Sequence, residues 1–303
     1  MKTRATFRET IALMRKERTA YLFVAPYYIL FFIFTILPVI ISIALSFTYY
    51  DILEFPKFIG WQNYSRLILA DDVFLIALKN TFVYAVVMGP LSYVISLIVA
   101  WLINDLSPKF RAGLVLLFYA PSISGNIYIV WRILFSSDSY GYINGTLLKL
   151  GIIDHPVLWM QKPEYIMPVI MIVGLWLSLG TNFLVFVAGF QGLDITLFEA
   201  GAVDGVKNRW QELWYITLPS LRPQLLFGAV ISITQSFAVS EVAINMAGNP
   251  SVGYAGTTIV THLIDFGNIR FEMGYASAIA TILFIVMIGT NKIVHRLIKK
   301  IGT

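Results

Sequence analysis

Six runs of apolar residues stand out along the chain: Ala20–Phe47, Thr81–Ile103, Ala112–Phe135, Ile166–Phe190, Gln224–Asn245 and Tyr275–Thr290. A helix crosses the hydrocarbon core of a bilayer with about 20 predominantly apolar residues, so each run is read as a span. The first is too long for the apolar region of a signal peptide, and no small-residue cleavage site follows it. The fifth is the most polar. Two connections, Asp51–Asn80 and Ser136–Tyr165, are long enough for a short helix and too short for a folded domain. No repeat, low-complexity stretch or Pro-rich linker divides the chain. The pattern predicts an all-α integral membrane protein, a single bundle of six transmembrane helices.

Charge then orients that bundle. Lys2, Arg4, Arg8, Arg15, Lys16 and Arg18 precede the first span; Lys109 and Arg111 lie between the second and third. Lys207, Arg209 and Arg222 lie between the fourth and fifth, and Lys292, Arg296, Lys299 and Lys300 close the chain. Basic residues accumulate on the cytoplasmic side of membrane proteins, which places both termini there. The expected organisation is a cytoplasmic segment 1–19, a membrane domain 20–295 that includes a structured loop over 191–223, and a cytoplasmic tail 296–303. The opposite side carries Asp51, Asp71, Asp138, Asp265 and Glu272 among its acids, with Tyr49, Trp61, Tyr140 and Trp159 suited to an interfacial aromatic belt.

Composition agrees and narrows the function classes. Of 303 residues, 58% are hydrophobic and 13% charged, where a soluble domain carries about 25% charged residues. The net charge of +5 follows from that topology, and no nucleic-acid partner is expected. There is no cysteine, hence no thiolate metal site or cysteine nucleophile. His155, His262 and His295 are scattered without metal-ligand spacing. No catalytic cluster and no G-x-x-x-x-G-K nucleotide loop occurs, so the chain is read as a non-enzyme without a cofactor of its own.

The connection 191–223 is the most informative segment. Asp194 suits the N-cap of a helix that starts at Ile195, and Gly205 suits its left-handed stop. Asn208 with Gln211 three positions later reads as a capping box opening a second short helix, which Pro219 ends. Ala200 and Gly201 beside Glu199 would let another backbone come close, and Trp210, Leu213 and Trp214 give the second helix an apolar side. Two short helices of this kind suit a partner's groove; they could equally pack on the chain's own helix ends or on lipid.

Glu199-Ala200-Gly201, then Asp204-Gly205, and later Ile216, Leu218 and Pro219 resemble the EAA loop of binding-protein-dependent ABC transporter permeases. Two features differ from that pattern: Gly201 stands where alanine is usual, and ten residues rather than nine separate Gly205 from Ile216. The resemblance extends from about Tyr21 to Ile293. Phe58-Ile59-Gly60-Trp61-Gln62-Asn63-Tyr64, Ala77-Leu78-Lys79-Asn80-Thr81, Arg132-Ile133-Leu134-Phe135 and Met273-Gly274-Tyr275-Ala276-Ser277-Ala278 are similar to the sugar-importing branch. It implies a permease subunit of a bacterial inner-membrane importer, working by alternating access. The implied partners are a second homologous permease (a heterodimer), two ATP-binding subunits that hold ATP and Mg, an extracytoplasmic solute-binding protein, and a sugar or oligosaccharide. The loop would insert into the ATPase and couple its closure to the spans.

Polar residues inside spans usually face the bundle interior or an aqueous path. Trp176, Ser178, Thr181 and Asn182 in the fourth span and Ser232, Gln235, Ser236 and Ser240 in the fifth are the candidate solute path. The last four recur at i, i+3, i+4 and i+8, on one helical face. Pro121, Ser122, Ser124, Gly125 and Asn126 predict a kink or break in the third span. Hydroxyls and amides suit a neutral polyol, or they bond to helix carbonyls, as serine and threonine often do. Glu241, near the outer end, is expected to reach water. A secondary transporter or channel is the competing class; it would be expected to carry a charged relay within the spans, and none is visible.

Overall fold

The computed structural model describes residues 17–125 and 127–298. Lys2, Arg4, Arg8, Arg15, Lys16, Asn126, Lys299 and Lys300 lie outside the described residues. Five helices are long and apolar enough to cross a membrane: Arg18–Leu45, Asp72–Asn104, Pro163–Gln191, Arg222–Ala247 and Met273–Arg296. The expected third span is a pair of helices, Pro108–Ile123 and Ile127–Leu134, set at 87° to each other. A kink is thus a full break. Pro121 carries no backbone N–H for a helical bond, and Ser124 already takes an extended conformation. Counting the pair once gives six spans.

The second span, Asp72–Asn104, is the axis of the bundle, with the fourth and fifth packed along it. Ala77, Thr81, Ala85, Gly89, Ser92, Ser96 and Ala100 are all buried along it, at steps of three or four residues. This stripe of small side chains lets neighbouring backbones approach closely, as helix interfaces in lipid require. At 33 residues and about 1.5 Å per residue, the helix projects beyond a hydrocarbon core of about 30 Å. The sixth span packs on the fifth and on the Leu37–Leu45 stretch of the first, and no part of the first span, Arg18–Leu45, buries a side chain.

Away from the 191–223 loop, the far end is tied by side chains from the runs that marked the resemblance. Asn63 donates to the carbonyls of Ser46 and Thr48. Asn80 donates to those of Tyr254, Ala255 and Thr257, and Thr81 accepts from the Ile259 N–H. Asp71 caps the second span through the Phe74 N–H at 2.8 Å and also meets Tyr275 Oη at 2.6 Å and His262 Nε2 at 2.9 Å. Burial opposes its ionisation, but these three bonds prevail and hold its carboxyl below the ordinary range. Asn144, fully buried, organises the other long connection by bonding to Ser136, Asp138, Val157 and Trp159.

Candidate functional site: a polar cavity and a surface loop

Three spans break at one place. The fourth is interrupted at Ser178–Gly180, the fifth at Ala238–Ser240, and the third beside Ser124. Between them and the second span lies a cavity of about 480 Å³. Of the candidate path residues, Ser178, Thr181, Ser232, Gln235, Ser236 and Ser240 line it. Trp176 and Asn182 do not: Trp176 packs edge-on against Trp131 at 5.3 Å, and Asn182 is buried outside the cavity wall.

The lining hydroxyls fall into two groups. Ser232 Oγ donates to the Gly89 carbonyl at 2.8 Å and shares a hydrogen bond with Ser92 Oγ at 3.1 Å; Ser236 Oγ donates to the Ser232 carbonyl. Ser178 and Ser122 likewise bond to the Leu175 and Tyr119 carbonyls. These serines join the second span to the fifth or close their own helix turns. The side chains of Thr181, Gln235, Ser240, Ser124, Tyr84, Tyr119 and Tyr128 belong to residues that line the same space and form no hydrogen bond to the described residues. Tyr84 is 5% exposed and lines this cavity. A Cβ at Gly174 would stand 2.3 Å from the Tyr84 hydroxyl, which makes glycine there the condition for the Tyr84 rotamer.

The loop carries its own logic. The helix Ile195–Val203 starts with Asp194 accepting from the Thr196 N–H at 3.0 Å. That bond holds the Asp194 carboxyl below its ordinary range. The helix ends with Val206 N–H on the Gly201 carbonyl, Gly205 N–H on the Ala202 carbonyl, and Gly205 at φ +95°, the pair of bonds that defines a Schellman stop. Asn208 accepts from Gln211 N–H as expected, while the Gln211 side chain accepts from Lys207 N–H rather than from Asn208. The second helix runs Arg209–Glu212, passes through a π turn at Leu213–Thr217, and continues over Leu218–Ser220. Ile216 lies within that π turn, which holds more residues than an α turn. Pro219 sits in a first helical turn, where a missing N–H is tolerated; the break falls at Leu221 instead.

Glu199, Ala200, Asp204, Gly205 and Pro219 are exposed. Gly201 is buried: the Ile216 Cδ1 lies 2.5 Å from where its Cβ would be, so the glycine in place of alanine and the seat of Ile216 are one feature, beside half-buried Leu218. Ile195, Val203, Trp210, Trp214 and Tyr215 project outward. The second loop helix grips the end of the second span. Arg209 pairs with Asp105 at 2.5 Å and lies over Trp101 at 4.9 Å, and the Trp101 and Trp210 rings meet at 5.0 Å, tilted by 52°.

No family model matches the chain. The protein YesP of Bacillus subtilis, named as a probable ABC transporter permease, is 34% identical over 279 residues, which cover 90% of this chain and 88% of YesP. The chain belongs to the sugar ABC transporter permeases. Another relative, AraP of Bacillus subtilis, named as an arabinooligosaccharides transport system permease, is 32% identical over 280 residues, 90% of this chain and 86% of AraP. A bacterial ABC transporter that imports the acidic polysaccharide alginate has a chain of the same fold, with TM-score 0.76 and 22% identity over 97% of this chain and 99% of that one.

In this permease the sequence pattern overlooked the tyrosines. Tyr84, Met88 and Ser92 stand at i, i+4 and i+8 on the second span and share the cavity wall, a signal present in the sequence but masked by the apolar run around it. Tyr119 and Tyr128 flank the Pro121–Gly125 break and enter the wall only because that break turns the chain by 87°.

Proposed function

We propose that the permease passes a sugar or oligosaccharide through this cavity by alternating access, inward across a bacterial plasma membrane, and that the 191–223 loop couples the passage to a separate ATPase subunit. The loop end, with both termini, faces the cytoplasm. The observation that carries the reading is the meeting of three broken spans at one polar cavity. Transporters place solute sites near the membrane midplane where helices are discontinuous, and free hydroxyl and amide groups recognise a polyol without burying a charge.

The second span supplies a mechanical route. It lines the cavity with Tyr84, Met88 and Ser92 and is held at its other end by Arg209 and Trp210 of the loop. Closure of an ATPase around Glu199 and the exposed apolar residues would move that end. Two ATP-binding subunits would hold ATP and Mg; a second, homologous permease would close the open side of the bundle as a heterodimer. An extracytoplasmic solute-binding protein would deliver the sugar, and the alginate transporter, also solved in complex with an alginate pentasaccharide-bound periplasmic protein, supports that arrangement. The test is purification of the tagged chain from its native membrane in mild detergent, with mass spectrometry of what accompanies it. The expected result is an ATP-binding subunit and a second six-span permease. Recovery of the chain alone or as a homo-oligomer would overturn this assembly.

A further inference from the structure

The cavity wall contains one charged side chain, Glu241, and no Lys, Arg or His among the described residues. Glu241 opens the short helix Glu241–Ala247 that follows the break in the fifth span. Its side chain forms neither a hydrogen bond nor an ion pair with the described residues. A carboxylate in a first helical turn is favourable to the helix dipole, which explains an acid at this position in the helix. It does not balance the field that the carboxylate casts into a space lined otherwise by neutral groups. Arg132, on the neighbouring helix Ile127–Leu134, lines two other hollows and not this one.

A concave site walled by low-dielectric material focuses the field of its charges and sets the local concentration of ions. Placing like charges against each other is also how a site rejects a competitor while leaving its own ligand untouched. Resting on the assignment of the cavity as the solute path, we infer that Glu241 makes it anion-excluding, so that the permease carries uncharged saccharides and rejects uronate-containing or phosphorylated ones. An acidic polysaccharide such as alginate, the cargo of the importer that shares this fold, would meet an unbalanced carboxylate here. A neutral polyol would meet free hydroxyls and the Gln235 amide.

The chain has no cysteine, so a single one can report the local field. Ser240→Cys, next to Glu241, and Thr181→Cys, on the opposing span, are introduced separately into the assembled importer in proteoliposomes. Each is labelled with cationic, anionic and neutral methanethiosulfonates, and rates are normalised to those of a free thiol in solution. The expected result is labelling by the cationic reagent about tenfold faster than by the anionic one, with the preference abolished by Glu241→Gln. Equal normalised rates, or a preference that survives Glu241→Gln, overturn the inference. The neutral reagent separates the two readings: if it labels the cysteines while the cationic and anionic rates are equal, the path stands and the filter falls. If no reagent labels either cysteine, water does not reach the cavity and both fall.

Discussion

The loop and the cavity use their side chains in opposite ways. In the loop, polar groups are engaged: Asp194, Asn208 and Gln211 hold backbone N–H groups, while Val203, Trp210, Trp214 and Tyr215 stand in the open. In the cavity the apolar bodies are packed, the serines of the helix contacts are engaged, and a set of hydroxyls and an amide is left without partners among the described residues. The groups left over differ, and with them the ligand each surface suits. Exposed aromatic and aliphatic residues rimmed by an acid suit a protein groove; free phenols and amides in a half-enclosed space suit a polar solute.

The comparison breaks most visibly at Glu199. It is exposed, in the first loop helix, and its side chain forms no hydrogen bond or ion pair with the described residues. Glu199→Ala should leave the thermal unfolding of the complex unchanged and lower ATP-driven uptake about tenfold or more, the range of energetic coupling between sites. Uptake and solute-stimulated ATPase activity in proteoliposomes measure it; full retention of both would mean the loop's free surface is not where coupling occurs.

That the loop was legible from sequence and the cavity only partly so has a physical cause. Caps and stops are local: Asp194 with Thr196, and Gly205 with Ala202, interact within a few residues, so spacing alone predicts them. Whether Ser232 faces a solute or the Gly89 carbonyl depends on a helix 143 residues away in sequence, and one-dimensional spacing cannot decide between those outcomes. The i, i+3, i+4, i+8 face of the fifth span was read correctly as one face, yet half of it joins helices. Trp176 and Asn182 show the same limit, since their position around the fourth span depends on the break at Ser178–Gly180.

A pair of substitutions sharpens the division within the cavity. Tyr84→Phe removes a free hydroxyl and keeps the ring, so it should raise KM for solute uptake about fivefold, the worth of one hydrogen bond, with unchanged unfolding. Ser232→Ala removes an engaged hydroxyl and should lower unfolding stability by about 1 kcal/mol with little effect on KM. Uptake kinetics and thermal unfolding in detergent read both. If the effects were exchanged, the assignment of free and engaged groups would be wrong.

Gly205 tests the loop's backbone. At φ +95° with open space around its Cβ position, Gly205→Ala meets no neighbour and suffers only the left-handed conformation, about 1–2 kcal/mol. Gly113→Ala has equally open space and no such φ, so it serves as the control. Limited proteolysis should cut the 191–223 loop faster in the first variant and not in the second. Equal rates would indicate that the loop tolerates another stop.

The smallest effect expected is the response of the loop to acid. The Thr196 backbone N–H, and then the Thr196 side chain, stabilise the ionised form of Asp194 and lower its pKa, outweighing the slight opposition of burial. A folded-state pKa below the unfolded value means the carboxylate stabilises the helix start fully above the unfolded value, about 3.9, and loses that contribution as pH falls through the folded value. Amide exchange at Thr196 should therefore show constant protection from pH 7 to about 5 and lose it only in stronger acid, after correction for the intrinsic exchange rate. Asp194→Asn keeps an N-cap acceptor that does not titrate, so its protection should not depend on pH across that window or below it. Loss of protection already near pH 6 would point instead to titration elsewhere. The cavity supplies the contrast, because its wall among the described residues holds Glu241 as its one carboxylate, and Glu241 caps no N–H there.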